Sequence, residues 1–286
     1  MSTITKKMNE KSIMDLKKEV APFILEESCP QYTYYKLKLN ACSITAYKSG
    51  KVVFQGKDLS WMEEEKEKMP TSIPYPHAGS DEVGTGDYFG PVVVSACIVE
   101  EKNVEALTKL GIQDSKKMKD DYIRQVANQI RELCPHSIMI VSNEKYNYIQ
   151  QTNNINAIKA KLHNFAYINL QKKGYTLPAL MVVDQFVNEK KYFEYLHQEK
   201  EVIRNLHFET KAESKYLAVA CASVLARDTF LRYWDKMEEK YDFTFPKGAG
   251  SCVDVQAKKF IDTFGFEELK KVAKVHFKNT EKALNQ

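Results

Sequence analysis

A proline-rich segment limits most strongly how this chain can fold. Residues 69–78, MPTSIPYPHA, contain Pro70, Pro74 and Pro76 and lack the periodicity of a helix or a strand. Proline fixes φ and removes a backbone hydrogen-bond donor, so we expect an extended linker here. With 286 residues, the chain is long enough for a small domain before the linker (1–68) and a large domain after it (79–286).

The small domain combines a predicted helix, SIMDLKKEVAPFILEE, with β-rich segments and a hairpin turn at Ser49-Gly50. From Ser28 to Lys57 it contains five lysines and several aromatic residues but no acidic residue. Because alternate strand residues share a face, Lys36 and Lys38 are predicted to lie on a basic, aromatic surface that suits a sugar–phosphate backbone. The alternative is a half-buried sheet whose lysines only keep its outer face soluble.

In the large domain, predicted strands alternate with predicted helices. HAGSDEV and PVVVSACIV are predicted to pair as strands across a glycine-rich loop, and LPALMVVDQF is typical of a buried strand. INAIKAKLHNFAYINLQKK and YLAVACASVLARDTFLRYWDKMEEKY predict helices. This alternation favours an α/β fold with a mixed sheet and flanking helices.

Acidic residues at the ends of two apolar strands are candidate metal ligands. Asp81 and Glu82 are adjacent, and two carboxylates there repel each other and lose hydration unless a divalent cation offsets the cost. Oxygen ligands favour Mg²⁺ or Mn²⁺ over Zn²⁺. Adjacent strand residues point to opposite faces, so both acids reach one site only if the strand ends at them. Asp184 follows five apolar residues at the end of another strand, where α/β folds build their sites.

Each of these acids also has an ordinary structural interpretation. Asp81 and Glu82 would suit a turn at a strand end, and Asp184 would suit a surface turn or a helix N-cap. Glu213 and Asp228 are predicted at the start and in the first turns of the long helix. There Glu213 would interact favourably with the helix dipole, and Asp228 would pair with a neighbouring arginine.

Taken in order, segments of the large domain resemble type 2 ribonucleases H, and ribonuclease HIII in particular. They are GSDEVGTGDYFGPVVVSA, QDSKKM, NNINAIKAKLHN, VVDQF, KAESKYLAVACASVLARD and FPKGAG. The resemblance implies that Asp81, Glu82 and Asp184 are catalytic acids and metal ligands, with Glu213 as the fourth acid and Asp228 as its alternative. Thr85 stands between two glycines where ribonuclease HII usually has a basic residue, which favours the HIII subtype.

The resemblance further implies an endonuclease that hydrolyses the RNA strand of RNA–DNA hybrids with two Mg²⁺ or Mn²⁺ ions, leaving 5′-phosphate and 3′-hydroxyl ends. It implies a ribonuclease H-like mixed sheet and an α+β N-terminal domain similar to the TATA-box-binding protein. Gly84, Thr85 and Gly86 are then expected to contact ribose, and Ser115 and Lys116 to contact phosphate. A tight turn and a helix-start cluster are the respective alternatives.

Two other functions stay open: incision at single ribonucleotides in DNA, as by ribonuclease HII, and non-catalytic binding of hybrids. The formal net charge is only +4, so a nucleic-acid surface must be local. The six cysteines form no C-x-x-C pair, so zinc is not expected. The N-terminus lacks the apolar core that a signal peptide needs, and no apolar run approaches about 18 residues, so we expect a cytoplasmic protein. We also expect a monomer without an obligate protein partner.

Overall fold

The computed structural model describes residues 2–40, 42–56, 73–112 and 118–285. Their contacts form two compact units, Met1–Ser72 and Ile73–Gln286. The end of the predicted small domain and residues 69–72 of the predicted linker lie outside the described residues. Among the helices that are described, none combines the length and apolar character needed to cross a membrane.

The N-terminal unit is an antiparallel sheet packed on one helix, α1 (Glu10–Val20). The predicted helix continued to Glu27, but α1 ends earlier because Pro22 lacks the backbone N–H that would continue it. Gly50, with φ of +85°, closes the predicted hairpin, which is thereby confirmed. The sheet has the strand order β1-β5-β4-β3-β2, with β1 (Ser2–Lys7), β2 (Glu26–Ser28), β3 (Thr33–Lys38), β4 (Cys42–Tyr47) and β5 (Lys51–Gly56).

Alternation along these strands separates a core face from an outer face. Tyr35 and Phe54 are fully buried, and the Tyr35 hydroxyl donates a hydrogen bond to the Ile13 carbonyl of α1 at 2.8 Å. Lys36 and Lys38 are exposed on the other face, where they line a groove. The lysines therefore share a surface as the alternation predicts, while two of the aromatic residues belong to the core.

The C-terminal unit is built on a five-stranded mixed sheet in the order β10-β9-β6-β7-β8. β6, β7 and β8 pair antiparallel, and β9 and β10 extend β6 in parallel. The strands are β6 (His77–Val83), β7 (Val92–Val99), β8 (His136–Val141), β9 (Leu180–Asp184) and β10 (Leu206–Glu209).

Helices cover both faces of this sheet, as the predicted α/β fold with a mixed sheet requires. Along β7, Val94 and Ala96 pack in the cluster that contains α5, whereas Cys97 and Val99 pack in the cluster that contains α3 and α7. The helices are α2 (Val104–Lys109), α3 (Asp120–Leu133), α4 (Asn143–Ile149), α5 (Ile155–Lys172), α6 (Glu189–Tyr195), α7 (Leu217–Tyr241), α8 (Ser251–Phe264), α9 (Phe266–Val272) and α10 (Lys278–Leu284).

Helix α7 lies unusually close to the central strand. A Cβ on Gly79 of β6 would stand 2.3 Å from the backbone nitrogen of Val219 in α7. Only glycine permits this approach without displacing one backbone from the other. The contact fixes the position of α7 along β6, two residues before Asp81.

Candidate active site

Asp81 and Asp184 lie side by side on neighbouring strands. In the parallel pairing of β6 with β9, Ser80 is opposite Val183, so the next residue on each strand is an acid. The Asp184 carboxylate also accepts a hydrogen bond from the backbone N–H of Ala212 at 2.9 Å. The sheet thus brings together two acids that are far apart in the sequence.

Both carboxylates lie on the face of the sheet that α7 covers. The hydroxyl of Ser223 on α7 donates a hydrogen bond to Asp81. Val182 packs with Val219 of α7, and Asp184, two residues further along β9, points to the same face. The two acids therefore meet between the sheet and α7.

The electrostatic environment of Asp81 is unfavourable for a carboxylate. The side chain is buried, and this burial, followed by the negative charges of Glu82 and Asp184, raises its pKa to about 8. The hydrogen bond from Ser223 offsets only part of this effect. A bound cation would favour the charged form, so the arrangement suits a divalent metal ion.

Glu82 points away from these two acids. β6 continues through Glu82 to Val83 instead of ending at the acidic pair, so the two carboxylates leave the strand on opposite faces. On the α5 side, Nε2 of His163 lies 3.0 Å from Oε2 of Glu82, and Nζ of Lys159 forms an ion pair with its Oε1. The condition stated from the sequence, that the strand ends at the acids, is therefore not met.

The α5 side chains stabilise the charged form of Glu82. Burial opposes ionisation, but the hydrogen bond from His163 and the charges of His163 and Lys159 outweigh it, so the pKa of Glu82 lies below its ordinary value. Phe186 supports both side chains: its ring centroid lies 3.9 Å from Nζ of Lys159, and its ring stacks on His163 at 5.5 Å. Phe186 is two residues after Asp184, so one short segment contributes to both faces of the site.

Glu213 and Asp228 occupy different environments. Glu213 lies in a separate 3-10 turn before α7, not on α7 as predicted, and it is 9% exposed. The turn begins with Ala212, which contacts Asp184. Asp228 is fully buried in the middle of α7, where it accepts a hydrogen bond from Arg131 of α3 at 2.5 Å and one from a second arginine on α7. The geometry favours Glu213 as the acid nearer to the pair.

The glycine-rich loop after β6 leaves one backbone segment open to solvent. Gly84 has a φ of +86°, and a Cβ there would lie 2.2 Å from the carbonyl oxygen of Pro91, so the turn requires glycine. Thr85 is half-buried, whereas Gly86 is exposed and a Cβ on it would meet no atom within 4 Å. The backbone at Gly86 is therefore accessible to a ligand.

The far end of the same loop is anchored by a buried lysine. Nζ of Lys274 donates hydrogen bonds to the carbonyl oxygens of Asp87 at 2.8 Å and Gly90 at 2.6 Å. Burial lowers the pKa of Lys274 to about 7. The Asp87 carboxylate in turn accepts a hydrogen bond from the backbone N–H of Gly248. These contacts fix the loop next to the acids.

The roles of the remaining predicted contact residues stay predictions. Ser115 and Lys116 lie outside the described residues. Lys36 and Lys38 belong to the N-terminal unit, where Nζ of Lys38 lies 3.1 Å from Oε1 of Glu26.

Sequence reasoning missed the side chains that hold the acids. Lys159 and His163 are four residues apart, so on a predicted helix they share a face, and this spacing could have indicated a common partner. Ser223 and Phe186 carry no comparable signal, because each acts through a contact that is distant in sequence.

The comparisons with known proteins cover nearly the whole chain. Residues 78–280 match the family model described as ribonuclease HII, and residues 3–67 match a domain of unknown function. A ribonuclease HIII of Bacillus cereus is 40% identical over an alignment of 306 positions, which covers 99% of this chain and 98% of that protein. A ribonuclease HIII of Bacillus mycoides is 41% identical and covers 91% of this chain and 90% of its own length.

Solved structures give the same picture. The crystal structure of Bst-RNase HIII in complex with Mn²⁺ is 34% identical, has a TM-score of 0.73 and covers 99% of this chain and 98% of its own. The fold is also similar to that of RNase H3 from Aquifex aeolicus, with 22% identity and a TM-score of 0.58 over 96% of this chain and 99% of that one. The predicted ribonuclease H-like sheet is confirmed.

Proposed function

Because the chain belongs to the ribonuclease HII family and, within it, to ribonuclease HIII, an endoribonuclease H, we propose that it cuts the RNA strand of RNA–DNA hybrids by two-metal-ion catalysis. The proposed metal-binding acids are Asp81 and Asp184, which share one face of the sheet. Glu82 is proposed as a third metal ligand, and because it leaves β6 on the opposite face, its carboxylate would have to turn away from Lys159 and His163 to reach the same ion. Glu213 is proposed as the fourth catalytic acid. The observation that carries the proposal is the juxtaposition of Asp81 and Asp184 on paired strands, where burial and neighbouring charge raise the pKa of Asp81.

The donor set fits a hard divalent cation. Carboxylate oxygens are the ligands that Mg²⁺ and Mn²⁺ prefer, and the similar Bst-RNase HIII was crystallised with Mn²⁺. Such ions, when bound, would activate the attacking water and stabilise the leaving 3′ oxygen, which yields 5′-phosphate and 3′-hydroxyl ends.

The chain's own residues orient the acids from both faces of the sheet. Ser223 and the backbone N–H of Ala212 fix Asp81 and Asp184 by hydrogen bonds. On the other face, Lys159 and His163 keep Glu82 charged in the absence of a metal ion. Fixed orientation matters because small misplacements of a reacting group reduce the rate strongly.

Substrate recognition would be divided between the units. The exposed backbone at Gly86, with Thr85, is proposed to contact the ribose 2′-hydroxyl, the group that distinguishes RNA from DNA. Lys36 and Lys38, on the outer face of the N-terminal sheet, are proposed to contact backbone phosphates. Activity in the cytoplasm as a monomer stays a prediction from the sequence.

The metal assignment is tested with isosteric substitutions. Asp81→Asn and Asp184→Asn should each reduce hydrolysis of a labelled hybrid more than about a hundredfold, equivalent to ~2.7 kcal/mol of barrier, while hybrid binding persists. Asp235→Asn is the matched control, because Asp235 is a more exposed acid on α7 that pairs with Arg124. Turnover within about tenfold of wild type in either site variant, or loss of turnover in the control, would contradict the assignment.

The substrate assignment needs a second assay. An all-RNA strand paired with DNA and a DNA duplex with one ribonucleotide are compared with Mg²⁺ and with Mn²⁺. We expect cleavage within the all-RNA strand and little incision at the single ribonucleotide, because Thr85 replaces the basic residue usual in ribonuclease HII. Equal cleavage of both substrates would assign the ribonuclease HII type of specificity instead.

A further inference from the structure

Three cysteines that are scattered in the sequence meet inside the C-terminal unit. Cys97 lies on β7, Cys134 directly follows α3, and Cys221 lies on α7. All three are free thiols with exposures of 0%, 3% and 0%, and their sulfur atoms lie within 4.8 Å of one another. Among the described residues, this is the one group of three or more histidine, cysteine or acidic side chains whose ligand atoms all lie this close to one another.

The geometry of this cysteine cluster is close to that of a three-coordinate sulfur site. Metal–sulfur bonds of about 2.3 Å place the ligand sulfurs about 4 Å apart at most. The three sulfur atoms therefore need to move by less than about 1 Å to bind one ion. Since β7, α3 and α7 already hold the side chains in place, the fold supplies this arrangement before any ion binds.

Charge selects the kind of ion. The cluster is enclosed by apolar side chains such as Ile130, Leu217 and Leu225. Burying a net charge among such side chains is costly. A divalent ion with three thiolates would leave one negative charge uncompensated, whereas a trivalent ion with three thiolates is neutral. The apolar surroundings therefore favour a trivalent thiophilic ion.

The protonation of the cluster also suits a ligand site. Burial raises the pKa of Cys97 and of Cys221. Hydrogen bonds from Cys221 and Cys97 lower the pKa of Cys134. Cys134 is thus the thiol of the three that gives up its proton most readily, and a thiol must lose its proton to bind a metal or metalloid ion.

We propose that Cys97, Cys134 and Cys221 form a preassembled site for one trivalent thiophilic ion of the arsenic(III) class. Binding of arsenous acid would form three arsenic–sulfur bonds and break three arsenic–oxygen bonds. The three thiol protons leave with the three hydroxyl groups as water, so no oxidant or reductant is needed. The bound ion would join α3, β7 and α7, and it would stabilise the folded chain by mass action.

Arsenite is the probe, added to the full-length protein kept reduced with a phosphine, which contains no competing thiol. Intact-mass measurement should give one arsenic per chain in the wild type, and the midpoint of thermal unfolding should rise. Cys97→Ala, Cys134→Ala and Cys221→Ala should each lose both effects. Cys29→Ala and Cys252→Ala, at the exposed cysteines, are matched controls and should keep them.

Two further measurements keep the test decisive. Circular dichroism of each variant without arsenite separates loss of binding from loss of folding, and a variant that fails to fold is replaced by the corresponding Cys→Ser substitution. Competition with Zn²⁺ and Cd²⁺ tests the charge argument, and arsenite should displace both. Absence of stoichiometric arsenic in the folded wild type, its retention in any cluster variant, or preferential binding of Zn²⁺ would overturn the proposal.

Discussion

Replacing Lys159 with methionine tests whether Glu82 exchanges one cation for another when the metal binds. The substitution keeps most of the side-chain volume and removes the ammonium group that pairs with Glu82 and contacts the Phe186 ring. Both partners of the ion pair are nearly buried, with side-chain exposures of 10% and 13%. Removing one partner of a buried pair typically costs about 3–5 kcal/mol. Because His163 still contacts the other carboxylate oxygen, we expect the lower end of this range.

A metal ion that binds Glu82 would replace the lost positive charge. The stability cost of Lys159→Met should therefore be smaller in saturating Mn²⁺ than without metal. By linkage, the variant should bind Mn²⁺ more tightly by the same free energy. If about 1.4 kcal/mol is recovered, the affinity for Mn²⁺ rises about tenfold.

The assays are urea unfolding with and without Mn²⁺ and calorimetric titration with Mn²⁺. Lys161→Met is the matched control, because Lys161 lies on the same helix and pairs with Glu199 at 3.1 Å, away from the acids. The control should lose similar stability in both conditions. An equal cost for Lys159→Met with and without Mn²⁺ would refute the reasoning, since Glu82 would then not share its charge with the metal.

Three other perturbations follow from the structure. Lys274→Met should remove a pH dependence of stability. Between pH 7 and about 10.4 the unfolded chain binds more protons than the native chain, so the wild-type free energy of unfolding should rise with pH by up to about 1.4 kcal/mol per pH unit. Equal slopes in urea unfolding of the wild type and the variant would contradict the assigned pKa. Gly79→Ala should destabilise by about 1–3 kcal/mol or more, because its Cβ would overlap the α7 backbone, whereas Gly86→Ala should change unfolding by less than about 0.5 kcal/mol. The double substitution of Lys36 and Lys38 by alanine should raise KM and leave kcat nearly unchanged. It should also reduce the slope of log K for hybrid binding against log salt concentration by about 0.9 per lost phosphate contact. An unchanged KM and slope would make them ordinary surface lysines.

The sequence predicted the elements that local patterns determine. The predicted strand HAGSDEV became β6 with the same bounds, and the predicted long helix became α7 within one residue. The predicted strand LPALMVVDQF became the shorter β9, Leu180–Asp184. The sequence also singled out Asp81 and Asp184 as candidate metal ligands, because a carboxylate after an apolar strand is costly without a partner. Their role in metal binding stays a prediction. Local periodicity was sufficient for these features since each is decided by neighbours along the chain.

Features that depend on distant contacts could not be predicted in the same way. The cysteine cluster joins residues as far apart as Cys97 and Cys221, and no spacing rule connects them. The opposite orientation of Asp81 and Glu82 depends on β6 continuing past them, which its pairing with β7 decides. The separate turn at Glu213 is preceded by Lys211, whose left-handed φ of +55° interrupts the helical backbone expected there from the sequence.

The order of the strands determines when during synthesis a chain can become a nuclease. The N-terminal sheet is complete once residues 2–56 have left the ribosome. The two acids meet only after β9 has been made and paired with β6, and α7, which covers them, ends at Tyr241. At about 5–20 residues per second, the interval between these events is roughly 10–40 s. A nascent chain can thus carry a folded N-terminal sheet close to the mRNA that is being translated while its active site is not yet assembled.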